Sequence, residues 1–349
     1  MRPVMVLWIA AGGGAAFAAA VPLAWVGRRN RALGYSNAID VVLVEGFGEL
    51  GDRAAAELRE LGFVLHDAGA LHRVHARRHP GLERFGAFLR NCFLRWLVLE
   101  EFFAGEPVLH LDGDVVFNEC PATLARMFAG RTFVLQGCPA LTAISDRGWY
   151  RQYAMELAAY ERDVEAYSAQ ARAVRAGWEE SFHLRWAGEW NGRLIASDQD
   201  LLSHLLHTGR LRQADPAAVA ASVPDHVFFE NPLIIGDLVP GRGLTYERRK
   251  SVDYLAGRRV GFWHMQTDWC RYLAKQMLRE RLGPLAATGR LSFGQKDAET
   301  LVGAVLRRLG GRRHFARPEI YRRFFTEGDF ARVFAGERWW EPDVFGPPV

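Results

Sequence analysis

Val4-Met5-Val6-Leu7-Trp8-Ile9, standing ahead of Gly12-Gly13-Gly14, is the stretch on which the fold turns. It is short, apolar and partly β-branched, as a parallel strand buried on both faces should be. Two parses compete. Val4 to Val26 holds no charged residue, and that length alone meets the criterion for a membrane span. Arg2 precedes it and Arg28, Arg29 and Arg31 follow, so a span would leave the remainder of the chain on the cytoplasmic side. Against a span, the stretch is dominated by glycine and alanine and contains Pro22. A strand, a glycine turn and a helix from Ala15 to about Leu33 account for more of it. Small side chains let such a helix lie close on a sheet, and Asp40-Val41-Val42-Leu43-Val44 supplies the next strand. Together these make a β-α-β unit. The glycines do not spell GxGxxG, because Phe17 stands where the third belongs, so no dinucleotide fingerprint is present.

The alternation continues down the chain. Asp52 to Leu61 has helical composition, and Phe63-Val64-Leu65-His66 reads as a strand ending at Asp67. A basic, histidine-containing loop is expected next. Leu82 to Phe103 then places Phe85, Leu89, Phe93, Trp96 and Leu97 at helical spacing. Pro107-Val108-Leu109-His110-Leu111 is a strand that runs into Asp112-Gly113-Asp114, and Val115-Val116-Phe117 is read as its resumption. A short helix from Pro121 to Ala129 and a strand over Thr132 to Leu135 complete the pattern. Repeated β-α-β units predict an α/β fold with a mostly parallel sheet covered by helices. Trp149, Tyr153, Leu157, Tyr160, Val164, Tyr167, Ala171, Val174 and Trp178 step by fours and threes. They predict one long packing helix within a helical insertion at about 146–190. Residues 271–349 read as a helical, basic extension to a catalytic domain over 1–270.

Composition narrows the function classes. The chain has 349 residues, 49% hydrophobic and 24% charged, which excludes wholesale disorder. Of 44 basic residues 41 are arginine, yet the net charge is only +4. That is no nucleic-acid footprint. Cys92, Cys120, Cys138 and Cys270 lie far apart without a CxxC pair, which argues against a zinc ribbon or disulfide framework and fits a reducing compartment.

The chemistry-bearing residues sit at strand ends and in one late strand. In open parallel sheets the carboxyl ends of strands present ligand-binding groups. Asp112 and Asp114, one residue apart after an apolar strand, suit a hard divalent cation that would neutralise a diphosphate. Arg95 lies upstream on the amphipathic helix beside Trp96, either at the surface or emerging at the rim of the sheet. Asp198-Gln199-Asp200 follows Ser197, an N-cap candidate for the helix from Leu201, and capping accounts for one of the two aspartates. His264 lies in the apolar run Val260 to Gln266, where a core histidine and a third metal ligand are both open. His72, His75 and His79 could suggest zinc, but Arg73, Arg77 and Arg78 interleave with them and would repel a cation.

Taken in order, Arg95, then Val108-Leu-His-Leu-Asp112-Gly-Asp114, then Asp198-Gln199-Asp200, then His264 resembles the GT-A nucleotide-sugar glycosyltransferases. The nearest pattern is the retaining family 8 group, which includes glycogenin and bacterial lipopolysaccharide galactosyltransferases. The resemblance covers about residues 4 to 270. It implies a Rossmann-like GT-A fold and transfer of a sugar from a nucleotide donor, a UDP-sugar, to a glycan or lipid-linked acceptor hydroxyl with retention. It also implies Mn²⁺ or Mg²⁺ held by Asp112, Asp114 and His264, and donor contacts at Arg95. Asp198, Gln199 and Asp200 would lie beside the reacting carbon and the acceptor. The donor nucleotide would lie over Ala10, Ala11 and Gly12, and Lys275 or Arg271 would take the place of the family's diphosphate lysine. Ser203 follows DQDxL where the family carries asparagine.

Two rivals remain. A sugar-phosphate nucleotidyltransferase would want a GxGxR-type loop after the first strand, and no arginine follows Gly14. A non-catalytic binding module would not need DxD, DQD and histidine together. A cytoplasmic location is expected, with peripheral contact at the inner membrane face through the basic C-terminal region, and no nucleic-acid partner.

Overall fold

A computed structural model of the chain describes residues 1–9, 23–175, 195–228 and 245–264. The expectations at Ala10, Ala11, Gly12, Trp178 and Lys275, and the extension over 271–349, lie outside the described residues. The elements run β1 (Arg2–Trp8), α1 (Leu23–Ala32), β2 (Asp40–Glu45), α2 (Asp52–Leu61), β3 (Val64–Asp67), α3 (Gly69–Arg78) and α4 (Gly86–Phe102). There follow β4 (Val108–Leu111), β5 (Val115–Phe117), α5 (Pro121–Met127), β6 (Phe133–Val134), β7 (Leu141–Ile144), α6 (Arg147–Arg162) and α7 (Val164–Arg175). Beyond them lie α8 (Asp198–His207), α9 (Pro216–Ser222), β8 (His226–Val227), β9 (Tyr246–Arg249), β10 (Val252–Leu255), β11 (Arg258–Val260) and β12 (Phe262–His264).

The architecture is α/β around a six-stranded sheet in the order β3-β2-β1-β4-β7-β6. β1 to β4 pair in parallel, whereas β7 runs antiparallel to both β4 and β6, so the sheet is mixed and mostly parallel. The strand reading of the amino terminus holds for β1, which lies between β2 and β4. Among the described residues no helix is long and apolar enough to cross a membrane.

Side-chain alternation divides the interior into two layers. Met5, Leu7, Val41 and Leu43 point to one face, where α1, α2 and α5 cover them through Leu23, Leu58 and Leu124. Val4, Val6, Val42 and Val44 point to the other, against Phe93, Trp96 and Leu97 of α4 and Tyr153 of α6. Strands buried on both faces need apolar residues at every position, which is why β1 and β2 show no polar alternation in sequence.

Four local expectations are corrected. The basic stretch after β3 is a helix, α3, rather than a loop. His72 and His75 on it and His79 at its C-cap meet Glu45, Glu101 and Glu161 respectively. Each histidine has its own carboxylate, so the three do not converge. The long packing helix is broken at Asp163 (φ −150°, ψ 85°), whose side chain accepts from the Ala166 N–H and so starts α7 as an N-cap. The packing stripe survives the break, since Trp149 through Ala171 stay buried, while Val174 is exposed. Val115 to Phe117 does not resume β4. It leaves the central sheet and pairs antiparallel with β12. The small sheet β8-β11-β10-β9 was not anticipated, because its strands are two to four residues long and charged, as in Tyr246-Glu247-Arg248-Arg249.

Gly261 governs the passage from that small sheet to β12. Its N–H donates to the Val227 carbonyl, and its own carbonyl accepts from the Asn118 and Glu119 N–H groups. A methyl group at this position would overlap the Phe228 ring. Gly261→Ala is expected to lower stability by about 2–3 kcal/mol through overpacking. Urea denaturation checks this, and an unchanged midpoint would refute the packing argument.

Candidate active site

β4 delivers Asp112 at the carboxyl edge of the sheet. The Asp112 N–H is held by the Ala140 carbonyl at 3.2 Å, and the chain turns so that the Val115 N–H reaches back to the Asp112 carbonyl at 3.4 Å. The turn puts Asp114 directly before β5. Because β12 pairs with β5 in the register His264↔Val115, the histidine arrives next to the two aspartates despite some 150 intervening residues. His264 Nε2 lies 3.1 Å from Asp114 Oδ1 and 3.7 Å from Asp112 Oδ2. One ligand atom from each of the three residues falls within 4.8 Å of the others, and this is the single such group among the described residues. Two carboxylates and an imidazole suit Mn²⁺ or Mg²⁺ better than a soft, thiolate-seeking ion.

Arg95 is not a rim residue. It is 4% exposed and spans two carboxylates. Its Nη1 donates to Asp112 Oδ1 at 2.7 Å, and its Nε donates to Asp198 Oδ2 at 2.8 Å. The Nη2 lies 2.7 Å from the same Asp198 oxygen, which also accepts from Trp96 Nε1 at 2.9 Å. Burial acts against the guanidinium charge, but Asp198 and Asp112 outweigh it and hold Arg95 protonated. Burial likewise pushes the Asp112 carboxyl up, and Arg95 together with His110 and His264 more than offsets this, so Asp112 titrates below the ordinary aspartate range. For Asp198, buried at 1% exposure, desolvation prevails over Arg95 and the shift is upward.

The three residues of the DQD segment part company. Asp200 closes a capping box: its carboxylate accepts from the Ser197 N–H at 3.1 Å and from the Ala196 N–H at 2.9 Å, while the Ser197 hydroxyl accepts from the Asp200 N–H. Asp198 turns inward to Arg95 and Trp96. Gln199 is half-buried at the start of α8. The N-cap reading of Ser197 therefore stands, and it occupies Asp200.

Sequence reading missed three features here. Trp96 was seen as core packing, and its indole N–H gave no hint of a carboxylate partner. His110 is buried beneath the cluster. Its Nδ1–H donates to the Pro139 carbonyl at 3.0 Å, which leaves Nε2 as an unprotonated acceptor 4.0 Å from Asp112 Oδ1, edge-on to Trp96. The third is a cavity of about 380 Å³ on the same edge, at the carboxyl ends of β2 and β3, lined by Glu45, Phe47, Asp67, His72 and Arg73. A rule was available for it, since strands two and three of a parallel sheet end there.

No protein-family model, curated protein or solved structure matches the chain. The functional reading therefore rests on the arrangement of its own residues.

Burial, then Arg95, lowers the His110 pKa from 6.5 to about 3. Folded His110 stays neutral at pH 5, while the unfolded chain takes up a proton near 6.5. Between those limits the unfolded state binds more protons, so stability falls as pH drops. Wild type is expected to lose about 2 kcal/mol more than His110→Asn between pH 7 and pH 5. Urea denaturation at the two pH values measures the difference, and equal losses would remove His110 as the cause.

Proposed function

We propose that the chain is a metal-dependent glycosyltransferase of GT-A type that moves a sugar from a nucleotide-diphosphate donor to an acceptor hydroxyl. The observation that carries this reading is the meeting of Asp112, Asp114 and His264 from two distant parts of the chain at the carboxyl edge of a parallel sheet. The order Arg95, DxD, DQD, histidine supports it from the sequence side. A UDP-sugar as donor and retention of configuration follow from the same resemblance.

A divalent ion at the cluster would supply positive charge opposite a departing diphosphate. Asp112 and Asp114 would hold it by their carboxylates and His264 by its Nε2. The chain's own residues do the rest. Arg95, fixed and charged between two carboxylates, contributes a preorganised cation beside Asp112. The nucleoside half of the donor is assigned to the edge of β1 to β3, where the cavity at Glu45 and Asp67 lies within two strand spacings of β1. Gln199, at the start of α8, is assigned to the sugar side. Lys275 is assigned the diphosphate contact that the resemblance implies, and the basic character of the extension is assigned to peripheral contact with a membrane surface.

Hydrolytic release of UDP from a panel of UDP-sugars tests the reading. Release should require Mn²⁺ or Mg²⁺ and stop in EDTA. Asp112→Ala and Asp114→Ala should each lower it at least 100-fold, equivalent to about 3 kcal/mol of barrier, with circular dichroism unchanged. Full release by either variant in EDTA would reject the metal assignment. Pyrophosphate formed from a nucleoside triphosphate and a sugar 1-phosphate would favour the nucleotidyltransferase instead.

A further inference from the structure

Asp198 is a buried, fully engaged carboxylate, yet it does not belong to the ligand cluster. Nε of Arg95 and Nε1 of Trp96 donate to its Oδ2 at 2.8 and 2.9 Å, and Arg95 Nη2 lies in ion-pair contact with the same oxygen at 2.7 Å. Arg95 and Trp96 are consecutive on α4. Neighbouring helix positions point about 100° apart and do not ordinarily share a target. Both side chains nevertheless bend to one oxygen, with the guanidinium carbon 5.0 Å from the Trp96 ring centre. The oxygen itself is held in place from its own side. Asp198 is the first residue of α8, inside the Ser197–Asp200 capping box that fixes the first turn of that helix.

A guanidinium is a rigid planar fork. Once Nε is bonded to Asp198 with Nη2 beside the same oxygen, the direction of Nη1 is set, and it meets Asp112 Oδ1 at 2.7 Å. The two oxygens of Asp112 are thereby divided. Oδ1 faces Arg95, and Oδ2 is the one at 3.7 Å from His264 Nε2.

We propose that Asp198 is a positioning residue which, together with Trp96, aims Arg95 so that Asp112 keeps one oxygen turned to Asp114 and His264. The proposal rests on the reading of that trio as a divalent-cation site. It departs from the expectation that Asp198 meets the sugar or acceptor, a role that needs a carboxylate within reach of a ligand. Without Asp198, the fork is released to take Asp112 in the two-pronged geometry that arginine and carboxylate favour. Arg95 then competes with the cation for Oδ2. The defect therefore belongs to cation affinity rather than to turnover at saturating cation.

The test is Mn²⁺ binding by the full-length protein with no donor present, read by electron paramagnetic resonance of free Mn²⁺ and by calorimetry. Asp198→Asn, which keeps the shape, should raise the Mn²⁺ Kd at least tenfold. Trp96→Phe leaves every charge in place and removes one of the two hydrogen bonds to Asp198, and should raise it two- to fivefold. In both variants UDP release should return to within a few-fold of wild type when Mn²⁺ is made saturating. Thermal melts and near-ultraviolet circular dichroism establish that each variant is folded, and Trp96→Phe decides the matter if Asp198→Asn is not. Wild-type Mn²⁺ affinity in the folded variants, with turnover still depressed at saturating Mn²⁺, would overturn the proposal and leave the metal-site reading intact. A wild-type protein that binds no divalent ion would overturn both.

Discussion

Antiparallel pairing of β5 with β12 is the constraint on which the candidate site depends. Four of its consequences are geometric. It pulls Val115 to Phe117 out of the central sheet, forces the turn at Asp112 to Asp114, carries His264 to that turn, and joins the small sheet to the large one. The pairing is three residues long, so its stability cannot come from its own hydrogen bonds alone. Packing supplies it: Val115, Phe117 and Phe262 are buried in the layer that also holds Leu109 and Leu111 of β4. Trp263 adds a hydrogen bond from its indole N–H to Asp253 Oδ2 at 2.6 Å, which ties β12 to β10.

The second organising element is a buried charge. Placing Arg95 in the interior is costly unless its charge is paired and its donors are satisfied. Asp198 and Asp112 provide both, one from α8 and one from the end of β4, so a single guanidinium couples the helical layer to the sheet edge. His110 complements this by staying neutral, since a second positive charge beneath Asp112 would have no further carboxylate to meet it. The helical layer also carries histidine–carboxylate pairs, His79 with Glu161 and His75 with Glu101, that fasten α3 to its neighbours. They explain why so basic a stretch folds as a helix against the domain. Its charged side chains lie outward, while its imidazoles meet acids on β2, α4 and α6.

Legibility in the sequence varied with the type of signal. Apolar continuity identified β1, β2 and β4, and α2 was bounded within its residues, because strands buried on both faces and amphipathic helices leave a local periodic record. Short charged strands left none, and β8 to β11 were missed. The break at Asp163 was hidden because the stripe from Trp149 to Ala171 keeps helical phase across it. At the site, Asp112 and Asp114 were legible from their place after an apolar strand. Arg95 was noticed but not its burial, and the partnership of Trp96 with Asp198 had no sequence signal, since an indole that packs and an indole that donates look alike in a chain.

Taken alone, the sequence determined that this protein is an α/β chain with a largely parallel sheet, and that its acidic pair stands at a strand end. Those properties follow from the local spacing of apolar and polar residues. Only the tertiary structure decided that His264 meets the pair, that Asp198 pairs with Arg95, and that Asp200 caps a helix. Each of these depends on pairing between segments far apart in the chain, where register and side-chain direction are set by the packing of the whole and not by neighbours in sequence.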